Sequence, residues 1–491
     1  MFLHLGLLIL FQSTFVLLAN NGSPEAAFKL RVTGTGLDYA NQVASGILNQ
    51  EIRALRIENI EDNGTSVRNI RVTNFRAPDY SWSLSSPSSL SWRLSEADIE
   101  LSATIRGCRR MLVNVCKTLD IVAGANAVSI RVSASFGRHT NNSGQPAIVW
   151  ADCKALIGGL DLRVRGGIVG WIINLFRNQA AKKLKPKIEK ALCQQAKKFL
   201  LDRVNSKLAS FPAKTQIGRF FNLDYGLASD LLVTTEHLEI GLKGQVIPIR
   251  GNVTASPYVT TPIVMQVQGD RMMYAWASEK MFNDLLYFAH VTNLTQILFT
   301  EKTPVFGSYL KLVCENTTKC IGARLPELSD MFPSSVDSAE VLVTTSTPPF
   351  IQISDDGTAC LTVNGTVDLS VTALNSFNIT TKQSVALSTI DFVAHVRVEV
   401  ENMRLVGQVN VTDLNVRVVK SRLDFFTVMM LETGLSSMMS RAIEKSLNAR
   451  FRTGLPIPVT AGISLVSPRI TLLEHTVQME SDVVYLRQDM D

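Results

Sequence analysis

Apolar residues recur at helical spacing in four parts of the chain. Series of this kind predict helices over 168–208, 278–289 and 425–451. Pro186 lies inside the first of these and predicts a kink or two abutting helices, because proline cannot donate the hydrogen bond that a helix interior needs. The earliest series predicts another helix of about 20 residues and consists of Leu37, Ala40, Ala44, Ile47, Leu48, Ile52 and Leu55.

Between the predicted helices, apolar and polar residues alternate with a period of two. The alternation is clearest in 128–136 and 238–242 of the first half, and in 394–400, 416–418 and 470–472 of the second half. Such alternation is typical of antiparallel strands with one buried face. The chain is therefore predicted to combine long helices with many strands, which is an α+β fold.

A break in both patterns divides the chain. Residues 246–263 hold three prolines among small and polar residues, which predicts a linker. We therefore predict one domain over 20–245 and a second over 264–491. Each half runs through strands into a long helix and leaves it through proline, at 211–212 and at 455–458. This repeat predicts two tandem, pseudo-symmetric domains, each a strongly bent antiparallel sheet (a barrel) wrapped on long amphipathic helices.

The N-terminus and the glycosylation sequons together predict export. Residues 3–19 are almost wholly apolar and end on Leu17-Leu18-Ala19, so 1–19 are predicted to be a signal peptide. A retained signal anchor is the alternative. Eight Asn-x-Ser/Thr triplets predict loops that are glycosylated in the secretory pathway. Their acceptors are Asn63, Asn141, Asn252, Asn293, Asn316, Asn364, Asn378 and Asn410. The protein is therefore predicted to be secreted and extracellular.

The seven cysteines fit an oxidising compartment. Their spacing favours two local disulfides and one longer closure, with one cysteine left over: Cys108–Cys116, Cys314–Cys320, Cys153–Cys193 and the single Cys360. The longer closure would remove on the order of 4 kcal/mol of unfolded-chain entropy. No Cys-x-x-Cys pair and no histidine at zinc-ligand spacing occur, so neither a metal nor a cofactor is predicted.

Charge divides the chain unequally. Residues 1–250 hold 31 Lys and Arg against 19 Asp and Glu, a net of +12, whereas 251–491 hold 18 against 24, a net of −6. Part of the excess is a basic run over 177–207. It is interpreted either as the solvated face of a helix or as a surface attracted to anionic lipid, at about 1 kcal/mol per cation. A second set lies at the ends of predicted elements and would form a cationic tip if those ends meet: Arg53, Arg56, Arg106, Arg109, Arg110, Arg163 and Arg165.

Catalytic motifs are absent from the sequence. It contains no Gly-x-Ser-x-Gly, no His-Glu-x-x-His and no phosphate-binding loop. We therefore predict that the protein is not an enzyme; a secreted hydrolase with a dispersed active site is the alternative from another class. Nucleic acid is not predicted as a partner, because the aromatics of a stacking platform are not interleaved with the cations.

Six segments occur in the order of a known family: Gly36-Leu37-Asp38-Tyr39-Ala40, Val169-Gly170-Trp171-Ile172-Ile173-Asn174-Leu175-Phe176, Asp224-Tyr225-Gly226-Leu227, Leu242-Lys243-Gly244, Leu455-Pro456-Ile457-Pro458 and Asp482-Val483-Val484-Tyr485. This ordered set resembles the lipid-binding serum glycoproteins. That family includes bactericidal/permeability-increasing protein, lipopolysaccharide-binding protein, and the phospholipid and cholesteryl ester transfer proteins.

The resemblance implies an elongated, boomerang-shaped molecule whose two barrel-and-helix domains meet through a central sheet. It implies one lipid between barrel and helices in each domain, and a disulfide between Cys153 and Cys193. It also places the basic tip of the lipopolysaccharide-binding members on the seven arginines of the predicted cationic tip. The sequence departs from the family in Cys108 and Cys116, and in a tip that is rich in Arg instead of Lys. Arginine favours bidentate contacts with phosphate.

The predicted function is that of a secreted lipid-binding protein. It would bury acyl chains of phospholipid or lipopolysaccharide in apolar tunnels and meet an anionic membrane or bacterial surface through its cationic tip, in innate immune recognition. Extracellular transport of phospholipid or neutral lipid without an antibacterial role is the alternative. The predicted lining of the first tunnel is Val43, Ile47, Leu48, Trp171, Leu175, Leu184, Ile188 and Leu192. The predicted lining of the second is Met429, Leu435, Met438, Met439 and Ile443. A closed core is the alternative for each of them.

Overall fold

The structure is a computed structural model, and it describes eleven segments of the chain: 26–62, 65–77, 79–110, 114–139, 144–165, 170–250, 254–304, 306–314, 320–332, 335–374 and 380–486. The predicted signal peptide over 1–19 lies outside them.

The described residues form 23 strands. These are β1 (Phe28–Val32), β2 (Arg56–Ile57), β3 (Ile60–Asp62), β4 (Thr65–Arg76), β5 (Asp79–Ser85), β6 (Ser89–Arg110), β7 (Asn114–Arg138), β8 (Pro146–Arg165), β9 (Lys214–Ile217), β10 (Phe221–Asp224), β11 (Leu232–Val233), β12 (Leu238–Leu242), β13 (Gln245–Pro248), β14 (Met273–Ser278), β15 (Ile297–Phe299), β16 (Ser335–Thr345), β17 (Phe350–Ile353), β18 (Ala359–Leu374), β19 (Thr380–Glu401), β20 (Arg404–Ser421), β21 (Leu455–Pro456), β22 (Ile463–Leu473) and β23 (Thr476–Tyr485).

The helices are α1 (Gly34–Arg53), α2 (Gly170–Lys198), α3 (Asn205–Ala209), α4 (Glu279–Val291), α5 (Ile321–Arg324), α6 (Pro326–Met331) and α7 (Phe425–Phe451), with a short 3-10 helix over Gly307–Leu310. The four predicted helical regions are confirmed. Two abutting helices do occur in the second region, but α2 continues through Pro186. Their junction is instead a π-helical segment over Phe199–Val204.

Short polar side chains begin three of the helices. The hydroxyl of Thr33 accepts from the backbone N–H of Gly36 at the start of α1, and the hydroxyl of Ser278 accepts from a backbone N–H at the start of α4. Asp424 accepts from the N–H of Thr427 at 2.7 Å and begins α7. Each oxygen satisfies a backbone donor that has no partner within its helix, which fixes where the helix starts.

In the first half, a seven-stranded antiparallel sheet curls around α1 and α2. Its main path is β2-β4-β6-β7-β8, with β3 on β4 and β5 on β6. Alternation decides which face turns inward: Leu101, Ala103 and Ile105 of β6 are buried, whereas Arg106 is exposed. The second half has the same design, because the sheet β15-β16-β18-β19-β20-β21, with β17 on β18, packs on α7.

A central six-stranded sheet joins the halves in the order β11-β12-β1-β14-β23-β22. Strand β1 lies between strands of different halves, so Phe28 pairs with Leu242 on one side and with Ala277 on the other. The buried hydroxyl of Tyr225 also donates to the carbonyl of Pro456 at 2.6 Å. The predicted architecture of two sheet-and-helix units on a central sheet is confirmed.

The segment that follows the predicted linker contacts the central sheet. Residues 254–272 form no helix or strand, but the N–H of Gln266 donates to Oε1 of Gln478, which also accepts from Nε1 of Trp276 at 2.7 Å. Trp276 is fully buried. Strand β13 includes the first three residues of the predicted linker, and the division of the chain into domains at 246–263 stays a prediction.

In both halves, side chains of a long helix hold the edge strand of the barrel in the same way. The amide of Asn205 bonds both the N–H and the C=O of Ile148, at 2.7 and 3.0 Å, and Glu189 accepts from the N–H of Ile157. These bonds satisfy strand groups that would otherwise lack a partner.

The second half repeats this arrangement at the same spacing. The amide of Asn448 bonds the N–H and the C=O of Val409, at 2.7 and 2.9 Å, and Glu432 accepts from the N–H of Val418. In each half the two helix residues are sixteen apart and the two strand residues are nine apart. We call this set of contacts the edge clamp. Its recurrence is direct evidence of the predicted pseudo-symmetry.

Candidate functional site

Four of the residues predicted to line the first tunnel lie in a closely packed core. Leu48, Leu184, Ile188 and Leu192, all predicted to line a tunnel, are at most 1% exposed and belong to one continuous apolar core. Side chains buried to this degree contact other protein atoms on every side, at the density of a protein interior.

The remaining predicted residues of the first tunnel are not shown to be part of this core. Val43 and Ile47 are half-buried on α1. The side chains of Trp171 and Leu175, on the first turns of α2, lie outside the described residues. The lining role of the first-half residues stays a prediction.

The second half holds an apolar space that we call the inner cavity. It lies between α4, the last turn of α7 and the inner face of the barrel, and encloses about 120 Å³. Its wall includes Phe282, Leu286, Ile351, Val396, Leu405 and Phe451. Such a wall can accept hydrocarbon and offers almost nothing to a polar ligand.

Arg450 is the charged residue of this wall, and its charge is directed away from the cavity. Its guanidinium donates to the carbonyls of Leu294 and Gln296 at 2.8 and 2.7 Å. Burial lowers its pKa below the ordinary value. Through these two hydrogen bonds, Arg450 joins the end of α7 to the loop after α4.

A second space, the distal groove, lies near the start of α7. It runs between residues 306–310 and 321–325 on one side and, on the other, the face of α7 that carries Met429, Leu435 and Met438, and its volume is about 570 Å³. Those three residues were predicted as lining, and they border the groove. Met439 and Ile443 are at most 1% exposed and face the barrel core instead.

The strand register brings part of the predicted cationic tip together on the outer face of the first barrel. Arg56 pairs with Arg71, Arg71 with Ser102, Ser102 with Val122, and Val122 with Arg163. All three arginines therefore lie in one row across five strands, and all are exposed.

The other predicted arginines lie near this row. Arg106 is exposed four residues further along β6, towards the hairpin that β6 forms with β7. Arg53 ends α1 and donates to the carbonyl of Phe75 at 3.3 Å. The backbones of Arg109, Arg110 and Arg165 lie in strands, but their side chains are outside the description. We call the exposed set Arg56, Arg71, Arg106 and Arg163 the arginine band.

Carboxylates border the arginine band. Asp161 lies 3.3 Å from Arg163, and Glu61 pairs at 2.6 Å with Arg68, which the sequence analysis did not single out. Asp120 accepts from the hydroxyl of Thr104 on the same face. The band is therefore basic, but some of its charge is neutralised locally.

Covalent features lie outside these spaces. The structure joins Cys108 to Cys116 across the β6–β7 hairpin, Cys153 of β8 to Cys193 of α2, and Cys314 to Cys320, and leaves Cys360 free. Among the predicted glycosylation acceptors, Asn293, Asn364 and Asn410 are exposed. Asn63, Asn141, Asn252, Asn316 and Asn378 are outside the described residues. Within the described segments, no helix is both long enough and apolar enough to cross a bilayer.

Comparison with known proteins defines the class. The chain matches the N-terminal domain of the LBP / BPI / CETP family over residues 36–204 and the C-terminal domain of the same family over residues 215–485. The chain therefore belongs to this family, as the resemblance implied. Its members are lipid-binding and transfer proteins and not enzymes, so the prediction of a non-enzyme is confirmed.

Individual relatives are distant but match over nearly the whole length. Bactericidal permeability-increasing protein of Sebastes schlegelii is 20% identical, covering 93% of this chain and 95% of the relative. Its counterpart in Rattus norvegicus is 23% identical and covers 95% of each. The crystal structure of lipopolysaccharide binding protein superposes with a TM-score of 0.63 at 20% identity, over 94% of this chain and 100% of that one. This likeness supports the fold.

Proposed function

We propose that the protein is a secreted lipid-binding protein that buries acyl chains of phospholipid or lipopolysaccharide and meets anionic lipid through its arginine band. The inner cavity carries the proposal, because its wall is apolar and its arginine bonds to protein carbonyls. Its volume of about 120 Å³ is below the roughly 300–1,000 Å³ of pockets that hold a whole ligand, so it would take part of an acyl chain. Membership of the LBP / BPI / CETP family supports it, as do relatives named for binding lipopolysaccharide.

The free energies of acyl-chain burial and of charge contacts differ, which suggests different roles for the cavity and the arginine band. A sixteen-carbon acyl chain removed from water is worth up to roughly 13 kcal/mol, at about 0.8 kcal/mol per methylene. An exposed charge contact contributes about 0–1 kcal/mol. Burial of the chain would thus supply affinity. The arginine band would select anionic head groups and attract the protein to a membrane or bacterial surface.

A second candidate is extracellular transport of phospholipid or neutral lipid without an antibacterial role. The carboxylates beside the band favour it, because Asp161 already lies 3.3 Å from Arg163 and Asp120 lies on the same face. A partly neutralised band would distinguish a strongly anionic bacterial surface from a weakly charged lipid particle less sharply than a fully charged band would.

The test is mass spectrometry of lipids extracted from protein secreted by eukaryotic cells, before and after incubation with lipopolysaccharide. We expect bound phospholipid that lipopolysaccharide displaces, and loss of displacement in the triple variant Arg56→Gln, Arg71→Gln, Arg163→Gln. The matched control is Arg93→Gln, Arg131→Gln, Lys154→Gln. These three cations also form one exposed row across the same sheet, but at a distance from the hairpin.

Each outcome selects among the candidates. Displacement that only the band variant loses supports recognition of lipopolysaccharide. Bound lipid that lipopolysaccharide does not displace favours transport. Protein that carries no lipid from the cells and takes up none from vesicles would contradict both.

A further inference from the structure

The distal groove is separate from the inner cavity. Met438 is the groove residue nearest to the inner cavity along α7, and Arg450 and Phe451 border that cavity. The twelve residues from Met438 to Arg450 correspond to about 18 Å along the axis of α7. The two spaces therefore lie near opposite ends of one helix, and lipid in one does not require lipid in the other.

The groove has the size and lining of a site for a single hydrocarbon chain. Its volume of about 570 Å³ is within the range of small-molecule pockets. Its lining is mainly apolar, with Phe306, Leu310 and Leu325 facing the methionines of α7. Methionine adapts its shape to apolar ligands of different length. The groove extends along about 14 Å of α7, nine residues from Met429 to Met438, so it is narrow and elongated.

Apolar side chains also surround the start of α7. Phe425 and Phe426 are 80% and 70% exposed, and Met429 and Met430 are 50% and 60% exposed. An apolar cluster so open to solvent is typical of a surface that meets lipid or another apolar partner.

Charge decides which partner fits. Arg324 lies on the groove wall, is exposed, and has no side-chain hydrogen bond or ion pair within the described residues. The described lining contains no carboxylate that could neutralise it. One unpaired guanidinium beside a chain-sized apolar groove is complementary to an anionic head on a single hydrocarbon tail.

We propose that the distal groove is a second lipid site, which binds a single-chain anionic amphiphile of the fatty-acid class with its carboxylate on Arg324. The exposed phenylalanines and methionines would lead the chain from a membrane into the groove. This inference rests on the proposed function and deepens it, because Met429, Leu435 and Met438 of the groove were predicted as tunnel lining; it adds a class of lipid and the residue that would bind its head group.

The first test fills the groove without disturbing the fold. A Cβ added at Gly434 meets no atom within 4 Å, so the side chain of Gly434→Leu projects into open space, and leucine favours a helix more than glycine does. Gly46→Leu on α1 is the matched control, because a Cβ there also meets nothing within 4 Å and the site is outside the groove. The probe is NBD-labelled stearate, titrated by fluorescence into the secreted protein.

We expect one equivalent of stearate to be lost in Gly434→Leu and retained in Gly46→Leu. Unchanged binding in Gly434→Leu would overturn the proposal. So would a variant that keeps its stearate but no longer binds phosphatidylcholine vesicles, because the surface would then be a membrane contact and not a site. Phospholipid extracted with Gly434→Leu should match the wild type. If the wild type carried no phospholipid, that result would contradict the proposed role of the inner cavity and not the stearate site.

The second test concerns the head group. Arg324→Gln should weaken stearate binding about tenfold, the scale of one charge-assisted contact, and leave the neutral methyl ester unaffected. Arg324→Lys should restore part of the affinity, and Arg441→Gln, which removes an exposed arginine further along α7, should change nothing. Equal weakening of acid and ester by Arg324→Gln would overturn the role of the charge.

Discussion

The two halves of the molecule share a framework and differ in what it encloses. Both use the edge clamp, with the same spacing on helix and strand. The first half adds a disulfide between Cys153 and Cys193, packs residues 184–196 of α2 into a continuous core, and carries exposed arginines on its outer face. The second half has no disulfide between α7 and its described barrel strands, and contains both the inner cavity and the distal groove.

Under the proposed function, this difference would be a division of labour on one fold. A closely packed core with cations outside would present charge on a rigid surface. A barrel with apolar spaces around its helix can accept hydrocarbon chains, whose burial supplies most of the binding free energy. The comparison can be tested by measuring whether the first-half core is tightly packed in solution and whether the spaces beside α7 are open.

The largest expected effect concerns packing. Leu184→Ala should destabilise the protein by about 3 kcal/mol, because it leaves a cavity in a closed core. Met438→Ala should cost less than about 1 kcal/mol, because its side chain already borders an open groove and its removal encloses no new void. The measurement is the free energy of unfolding in denaturant for the two secreted variants. Similar losses would show that the halves are equally closed.

A smaller effect is expected at the edge clamp. Asn448→Ala removes two hydrogen bonds from Val409, which at about 1 kcal/mol each should loosen β20 by roughly 2 kcal/mol. Asn205→Ala should loosen β8 less, because the disulfide at Cys153 still holds that strand to α2. Hydrogen exchange of strand amides measures both.

The control for this prediction removes the disulfide. Asn205→Ala combined with Cys153→Ser and Cys193→Ser should show exchange in β8 that approaches that of β20 in Asn448→Ala. If Asn205→Ala alone already matches Asn448→Ala, the disulfide does not account for the difference between the halves.

Much of this framework could be predicted from the sequence because local signals are strong there. The helix predicted over 425–451 coincides with α7, because an apolar period of long range begins directly after the capping Asp424. The central sheet could not be derived from periodicity, because it pairs strands distant in the chain, such as β1 and β14, and a period of two does not indicate which strands pair. It was expected only from the resemblance to the family.

The candidate sites were harder to predict, for physical reasons. Arg71 lies in β4, where the register with β6 shifts on both sides of it, so the alternation that would mark an outer face is broken. The described wall of the distal groove opposite α7, over 306–310 and 321–325, consists of short helices and turns without a period. Whether a helical stripe lines a tunnel or a core depends on the opposite wall, and the stripe itself holds no information about that wall. Ile188 illustrates this, because it fits the same stripe whether the barrel is filled or hollow.

The smallest expected effect lies in the central sheet, where the two sides also differ. On the first-half side, Glu239 pairs with Arg31 at 2.7 Å and with Lys29 at 3.3 Å, and it is buried. On the second-half side, Glu480 meets Arg469 only at 4.0 Å, and Arg469 is exposed. Burial alone would raise the pKa of Glu239. The hydrogen bond from Arg31 and the charges of Lys29 and Arg31 outweigh it and hold that pKa below its ordinary value of 4.5.

A carboxylate with a lowered pKa stabilises the folded state fully above its ordinary value and loses that contribution as the pH falls through the lower folded value. We therefore expect the difference in unfolding free energy between wild type and Glu239→Gln to be larger at pH 7 than at about pH 3. Glu480→Gln, the matched variant on the other side of the sheet, should remove less unfolding free energy at pH 7, because its partner Arg469 is exposed and lies at 4.0 Å. Denaturant unfolding at the two pH values measures both. An equal loss of unfolding free energy at pH 7 in the two variants would mean that the ion pairs on the two sides of the central sheet do not differ as their geometry indicates.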